Sequence, residues 1–447
     1  MNKLIKFYFL VSILLSSIAI ADEYHYVNVF NGSKAAGLGG AYTSIADDLS
    51  AMLYNPAGLS LSSVKSTASV NIFSKEQTEF SNIFSDGSDF TRDSFVILPG
   101  FFAFRKKEGD WDFGVSFAIN DLSKERTSTD TITNIESNGF QPSQRNNEFI
   151  YIDLDNSAYK LGVTTSYRYS ESLSFGSSLY FQYKEFSTVQ GSGGVSTIFT
   201  PVGDFEGGFN ASRRIIDLQV SVQPILGVLW KKDNLSLGGK LAYEIPIRRD
   251  YEATATIIFS SLEPLPPQMT PAFRIKEETD IKQDLPYEIT LGASYQFSDV
   301  VLSADVNYFS EVKSGGQSLE FIDTPITRKL NEVINWSVGA EYEYSDDITI
   351  RFGVFTDKSN GDIDTNIDNQ RIEDIDLLGF STSLRTVFLK NIVTFGLYYK
   401  YGKGDVRFAD VRSVEQIVGL PLYPDNGNYD IVEAKKNILV VFLSLDF

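Results

Sequence analysis

The chain has 447 residues, 39 basic against 58 acidic side chains, a formal charge of −19, one histidine and no cysteine. That balance excludes the basic surface a nucleic-acid partner needs, and the lack of cysteine excludes disulfides, thiol chemistry and a lipobox. Aromatic residues make up 13% of the chain, 23 Tyr and 34 Phe among them.

Residues 1–21 read MNKLIKFYFLVSILLSSIAIA. Lys3 and Lys6 form a positive start, Phe7 to Leu15 an apolar core, and Ala19-Ile20-Ala21 an A-x-A cleavage site. This is the pattern of a secretory signal peptide, with an uncleaved anchor as the alternative. The exported chain is expected to begin at Asp22, with a formal charge of −21 once Lys3 and Lys6 are gone. No later stretch offers eighteen consecutive apolar residues for a membrane helix.

Gly32 to Ser60 is rich in Ala and Gly and does not alternate. Asp47 or Asp48 is placed to cap a short helix over about 49–54. Asn55-Pro56 stops that helix, because proline pushes the preceding residue out of helical geometry. Ala57-Gly58 follows, and Gly58 permits a sharp turn. A compact small-residue segment ahead of the first strand can fold back into a barrel as a plug, with Asn55 bonding buried backbone. A disordered leader is the alternative.

From about residue 64 onward the period is two. Tyr287 to Phe297 places Tyr, Ile, Leu, Ala, Tyr and Phe on one face and Glu, Thr, Gly, Ser and Gln on the other. Asn335 to Tyr344 and Val393 to Tyr401 alternate in the same way. Segments of about ten residues with one apolar face fit tilted strands that cross a bilayer. The pattern predicts strands near 64–74, 93–105, 111–120, 157–169, 172–187, 215–230, 234–249, 286–297, 299–310, 333–345, 347–356, 377–389, 392–402 and 434–447. Long connections at 75–92, 121–156, 188–214, 250–285, 311–332, 357–376 and 403–433 alternate with short ones. Short turns at one end and long loops at the other mark a transmembrane barrel. The even strand number places both termini on the periplasmic side.

Some positions stand out along that barrel. Pro99-Gly100 interrupts the second strand: proline has no N–H to donate, and pairing is expected to fail there, with Gly114 nearby in the third strand. A simple β-bulge explains the dipeptide equally well, and Pro224 in the sixth strand is a second candidate. Asp362, Asp364, Asn366, Asp368 and Glu373 have the spacing of a calcium loop, but Ile367 stands where that loop needs Gly. The plain alternative is a solvated acidic loop. Residues 260–271, SSLEPLPPQMTP, read as a rigid outer loop. The chain ends ILVVFLSLDF, and a terminal Phe447 on an alternating strand fits a recognition signal for the barrel assembly machinery. His25 lies outside any strand, and no P-loop, zinc spacing or dinucleotide fingerprint is present, so nothing points to an enzyme or a cofactor.

GLGGAYTSIADDLSAMLYNPAGL, Gly37 to Leu59, resembles the N-terminal hatch of the FadL family, outer-membrane transporters of long-chain fatty acids and other hydrophobic compounds. Asn55-Pro56-Ala57 matches the family's NPA element, and Ala46-Asp47-Asp48 the acidic pair before it. At the mature N-terminus Asp22, Glu23 and Lys34 depart from the more apolar tip of the fatty-acid transporters. The resemblance implies an all-β protein: a 14-stranded antiparallel transmembrane barrel (64–447) plugged by a small helical hatch (22–63) behind the signal peptide (1–21). It implies passive transport of a hydrophobic small molecule: capture at the outer loops, a lumen pocket gated by the hatch, and lateral release into outer-membrane lipid by a monomer. A structural or secretion-machinery barrel with the same hatch, and a general porin, are the other readings. Intact-mass measurement of the exported protein is expected to give a chain starting at Asp22; a mature chain that keeps residues 1–21 would overturn the cleavage.

Overall fold

The structure, a computed structural model, describes residues 24–27, 29–84, 87–137, 142–260, 272–279, 284–319, 322–361, 363, 372–407 and 431–447. Its strands form a closed antiparallel barrel of 14. We number them β1 (Ser66–Phe80), β2 (Phe90–Glu108), β3 (Trp111–Ile135), β4 (Ser143–Arg168), β5 (Leu173–Thr200), β6 (Gly203–Lys232), β7 (Leu235–Tyr243 and Ile245–Ser260) and β8 (Ala272–Thr279 and Tyr287–Phe297). They continue as β9 (Val300–Phe309), β10 (Val333–Ser345), β11 (Ile348–Asp357), β12 (Ile372–Asp374 and Leu377–Phe388), β13 (Asn391–Arg407) and β14 (Ile431–Asp446). A separate hairpin, Val312–Leu319 with Ile322–Leu330, continues from β9 and β10. β14 pairs with β1 from Thr67↔Asp446 to Phe80↔Ala434, so the sheet has no free edge.

Closure follows from the solvent: in hydrocarbon an unpaired backbone group costs several kcal/mol, and only a sealed ladder avoids a row of them. The alternation then sorts side chains by medium. Phe104, Phe113, Val163, Leu226, Leu291, Val338, Phe352 and Phe380 stand exposed on the outer face. Their ladder neighbours Ser116, Ser178, Ser294, Ser303, Ser337 and Ser383 are buried on the inner one. Small hydroxyls there leave room for a plug and offer it hydrogen bonds.

The connections carry more strand than the sequence expectation: 250–260 and 272–279 belong to β7 and β8, 312–319 and 322–330 form the hairpin, and the largest differences lie in β3 to β6. Residues 121–156 and 188–214 are largely ladder, not loop. β3 and β4 stay paired from Trp111↔Tyr167 to Ile135↔Gln144, and β5 and β6 from Leu173↔Trp230 to Thr200↔Gly203. Strands of 28 and 30 residues at about 3.3 Å per residue far exceed an apolar band about 25 Å tall. β3 to β6 therefore form a tall wall on one side of the barrel. Its distal part is rich in Thr, Ser and Asn on both faces, so strand-forming residues are present without the apolar alternation that marks a membrane strand.

The hatch occupies the inside. It contains α1 (Ser33–Gly37), α2 (Ala51–Tyr54) and a 3-10 turn (Pro56–Leu61). Before it, the chain runs along the lumen toward the end with the long connections. Lys400 Nζ donates to Val27 O at 2.8 Å and pairs with Asp357 at 2.9 Å. Asn360 N donates to Tyr24 O at 2.9 Å, and His25 Nε2 to Ile375 O at 2.8 Å. The C-terminus lies at the short-turn end, where Phe447 N donates to Ser66 O at 2.9 Å. β1 starts and β14 ends at that same end, but the first described residues do not stay there.

Leu291→Arg on the outer face of β8 is expected to destabilise the lipid-embedded barrel by about 2–4 kcal/mol. Ser294→Ala on its inner face should change stability by about 1 kcal/mol or less. Urea titration in lipid vesicles measures both, and equal losses would remove the assignment of faces.

Candidate functional site

The Asn55-Pro56-Ala57-Gly58 turn sits at the centre of the hatch, fully enclosed. Asn55 leaves helical geometry at φ −158°, and Pro56 opens the 3-10 turn, where its missing N–H costs nothing. The freed Asn55 side chain does the joining. Its Nδ2 donates to Thr43 O at 2.8 Å and to Val228 O on the wall at 3.0 Å. Its Oδ1 accepts from Ala57 N at 3.3 Å. Ala57 O accepts from Ser166 Oγ at 2.9 Å, and Met52 O from Ser178 Oγ at 2.7 Å. The wall is smoothed to receive this turn: a Cβ at Gly227 would overlap Asn55, and one at Gly176 would overlap the Pro56–Ala57 backbone. Gly58 itself lies against the backbone of Ala46.

The two acidic residues divide their work. Asp48 Oδ1 accepts from Ser50 N at 2.7 Å and from Ser50 Oγ at 2.5 Å, closing the turn just ahead of α2. The helix starts at Ala51 with Ser50 as N-cap, two residues later than the sequence suggested, and neither Asp is its cap residue. Asp47 instead pairs with Lys34 at 2.9 Å. Lys34 also reaches Glu341 of β10 at 3.0 Å, and Glu341 is held by Arg351 of β11 at 2.5 Å. Burial alone would lower the Lys34 pKa, but Asp47 and Glu341 outweigh it and the pKa is raised. Across the lumen, Asp305 of β9 accepts from the backbone N–H of Tyr42 at 3.0 Å and of Thr43 at 2.8 Å.

Beside the hatch the wall opens. β2 and β3 pair from Glu108↔Trp111 to Phe101↔Ala118, then not again until Ser94↔Glu125. Pro99 and Gly100 lie at one end of the unpaired stretch. Gly100 is skipped in the β1–β2 register, between Ser69↔Phe101 and Val70↔Pro99, and Asn120 is skipped in the β3–β4 register, between Ile119↔Tyr159 and Asp121↔Ala158. Each strand thus carries one extra residue, and the two cancel: the ladders above and below keep the same register. The Arg92–Glu125 pair at 2.7 Å sits just beyond the far end. From inside, hatch Asn31 fills the break. Its side-chain amide lies 3.2 Å from that of Asn120, and in the orientation that satisfies both ends its nitrogen donates to Gly100 O at 3.0 Å and Ile119 O at 3.3 Å.

The remaining positions separate. Gly114 belongs to the paired part of β2–β3, opposite Arg105, where the missing side chain makes room for Met52 of the hatch. It does not border the break. Pro224 marks a smaller interruption: β6 and β7 lose their pairing only between Val222↔Ile245 and Ile225↔Ala242. A cavity of about 160 Å³ extends from the Asn31–Asn120 contact along the N-terminal segment. Tyr26, Phe30, Phe309 and Phe355 give it an aromatic side, and Lys160 and Gln223 a polar one.

The sequence matches, over residues 14–381, the model of a family described as outer membrane protein transport protein (OMPP1/FadL/TodX). The chain belongs to this family. Similar solved structures of FadL/TodX-type barrels include a Pseudomonas aeruginosa FadL homologue, 12% identical with a TM-score of 0.60, covering 95% of this chain and 99% of that one. The P. putida toluene transporter TodX is 14% identical at 0.56, covering 94% and 99%. The Ralstonia pickettii toluene transporter TbuX is 14% identical at 0.54, covering 93% and 98%. At these identities the likeness shows the fold. No curated protein matches.

Membership in the FadL/TodX family places the barrel in the outer membrane and makes it a transport protein for hydrophobic compounds. Several residues of the site were not found from sequence. Asp305 was detectable in principle, as an isolated charge among apolar or small residues; Lys34 stood out from sequence only as a departure from the apolar tip, without its partners Asp47 and Glu341. Asn31 and Asn120 carry no such signal, because their role exists only where the two strands part. Of the calcium-loop candidates, Asp362, Asp364, Asn366 and Asp368 lie outside the described residues. Glu373 is engaged by Arg92 at 3.2 Å and stands 3.9 Å from Lys436.

Asn55→Ala would leave Thr43 O, Val228 O and Ala57 N without their partner, at about 1–3 kcal/mol for each buried group. Subtilisin cleavage within 42–61 of the embedded barrel is expected to accelerate at least tenfold; an unchanged rate would show that Asn55 does not hold the hatch. The Lys34 contribution has the opposite dependence to a carboxylate. A raised pKa keeps it whole below the ordinary value of 10.5 and loses it as pH climbs through the folded-state pKa above that value. The same assay should therefore show hatch loosening only in strongly alkaline buffer, and Lys34→Met should abolish that step.

Proposed function

We propose that this barrel moves hydrophobic compounds passively across the outer membrane and releases them sideways through the break between β2 and β3. The carrying observation is that break, with register kept on both sides, Asn31 of the hatch lodged in it, and a cavity lined by that same Asn31 and by Asn120. A hydrophobic compound gains free energy by passing from a lumen pocket into lipid instead of into water, so a lateral path suits its chemistry. Phe95 and Ile97, on the unpaired part of β2, are 62% and 70% exposed and would line the outer side of such a path.

In this reading the long-connection end faces outward and captures the compound. The compound enters the cavity, the hatch shifts, Asn31 leaves the carbonyls of Gly100 and Ile119, and the path opens. Asn55, Pro56, Ala57 and Gly58 serve as the fixed pivot of the gate, and Asp48 shapes the helix beside it. The protein works as a monomer without a cofactor, and Phe447 presents the final strand to the assembly machinery. The lumen is occupied by the hatch, which supports a gated carrier over an open aqueous porin. The cavity supports compounds about the size of one ring, since an engineered apolar cavity of about 150 Å³ binds benzene.

The register that flanks the break sets Ile97 opposite Leu122, both directed outward. A barrel with Ile97→Cys and Leu122→Cys, joined by a short thiol cross-linker, is expected to lose at least nine-tenths of its uptake of a radiolabelled hydrophobic compound in vesicles. The same treatment of Phe104→Cys with Val115→Cys, a pair inside the intact ladder, should leave uptake unchanged. Full uptake through the first cross-linked barrel would sink lateral release.

A further inference from the structure

Lys160 of β4 projects into the lumen and is only 8% exposed. Its Nζ donates to Gln223 Oε1 at 2.8 Å, a neutral acceptor. The lysines around it are provided for: Lys184 stands 3.2 Å from Glu244, and Lys240 forms an ion pair with Glu288. Asp305 is taken up by the hatch amides of Tyr42 and Thr43. Among the described residues, no carboxylate lies within ion-pair distance of Lys160. An ammonium has three donors, and one neutral acceptor leaves two of them for whatever fills the cavity that Lys160 lines.

That cavity has two unlike sides. Tyr26, stacked on Phe309 at 4.1 Å, and Phe30, edge-on to Phe355 at 4.8 Å, make one side aromatic. Lys160, the mutually paired Lys240 and Glu288, and the amides of Gln223, Asn120 and Asn307 make the other polar. Its volume of about 160 Å³ accommodates one ring. A pure hydrocarbon would strip water from the ammonium and return nothing, which is costly for a buried charge. A carboxylate would supply both the missing charge and the missing acceptors.

We propose that the cavity is a binding site for a small single-ring carboxylate, its ring against Tyr26, Phe30 and Phe309 and its carboxylate on Lys160. This rests on the transport reading above and narrows it: the preferred cargo is an amphipathic aromatic acid, and Lys160 is the residue that selects it over a neutral hydrocarbon of the same shape.

Isothermal titration of the purified full barrel in detergent tests this with benzoate, toluene and palmitate as probes. Benzoate is expected to bind at least tenfold more tightly than toluene. Lys160→Met should weaken benzoate at least tenfold, about 1.4 kcal/mol, and leave toluene unchanged or tighter. Lys160→Arg should keep benzoate binding within about threefold. Heat-dependent gel mobility confirms that each variant is a folded barrel, and the Arg variant carries the test if the Met variant is not. Equal binding of benzoate and toluene, or benzoate binding untouched by Lys160→Met, overturns the proposal. Vesicle uptake separates the two readings: if toluene or palmitate crosses while benzoate does not bind, the site assignment falls and transport stands. If benzoate binds through Lys160 but none of the three crosses, the site stands and transport falls.

Discussion

A backbone amide or carbonyl facing hydrocarbon has nothing to bond except another part of the protein. The barrel, its closure through β14 and β1, and the outward apolar residues all satisfy that condition. It bears hardest where β2 and β3 part. There the chain holds a row of peptide groups without strand partners, and a protein in lipid cannot leave such a row bare. Asn31, Asn120 and side-chain bonds such as Lys124 N to Ser94 Oγ at 3.1 Å satisfy part of what the ladder gives up. The hatch thus supplies part of the bonding that the break between β2 and β3 lacks.

Inside the lumen the same condition works in reverse. The hatch is mostly turn and short helix, so it brings many backbone groups that its own structure does not satisfy. The wall answers with serine hydroxyls and one carboxylate: Ser166 to Ala57, Ser178 to Met52, Ser381 to Gly37 at 3.0 Å, and Asp305 to Tyr42 and Thr43. Glycines let the two backbones approach. Much of the docking therefore depends on peptide groups, with a few hatch side chains added: Asn31 at the break, Lys34 on Glu341, Asn55 on Val228 and Ser60 on Ser174. These side chains meet different strands of the wall, so the contacts are spread around the lumen.

Much of this was legible from sequence because it rests on periodic patterns. Alternation at 287–297 and 335–344 reports a sheet between two media, and short turns such as Lys231 to Asn234 report where it reverses. The Asn-Pro-Ala-Gly break reports a turn by its own stereochemistry. The tall wall of β3 to β6 was read as loop because TSTDTITNI and GGVSTIFT form strands with polar groups on both faces, and periodicity reports burial, not backbone geometry. Asp47 was read as a cap, since spacing suggests capping, whereas its partner Lys34 is chosen by the fold. Lys160 was not singled out from sequence; its want of an ion-pair partner is a fact about β5, β6 and β7 together, and no local stretch contains it.

The path of the first described residues bears on how the molecule is built. Tyr24 to Asn31 runs up the lumen and is clamped by Asp357, Lys400 and Ile375, while Phe447 seals the seam against Ser66. The first described segment is thus enclosed by a wall that the last strand closes. Sealing brings β1 and β14, hundreds of residues apart, into register from Thr67↔Asp446 to Phe80↔Ala434, and pairings of such sequence separation form slowly because loop closure has to be met before the contacts reward it.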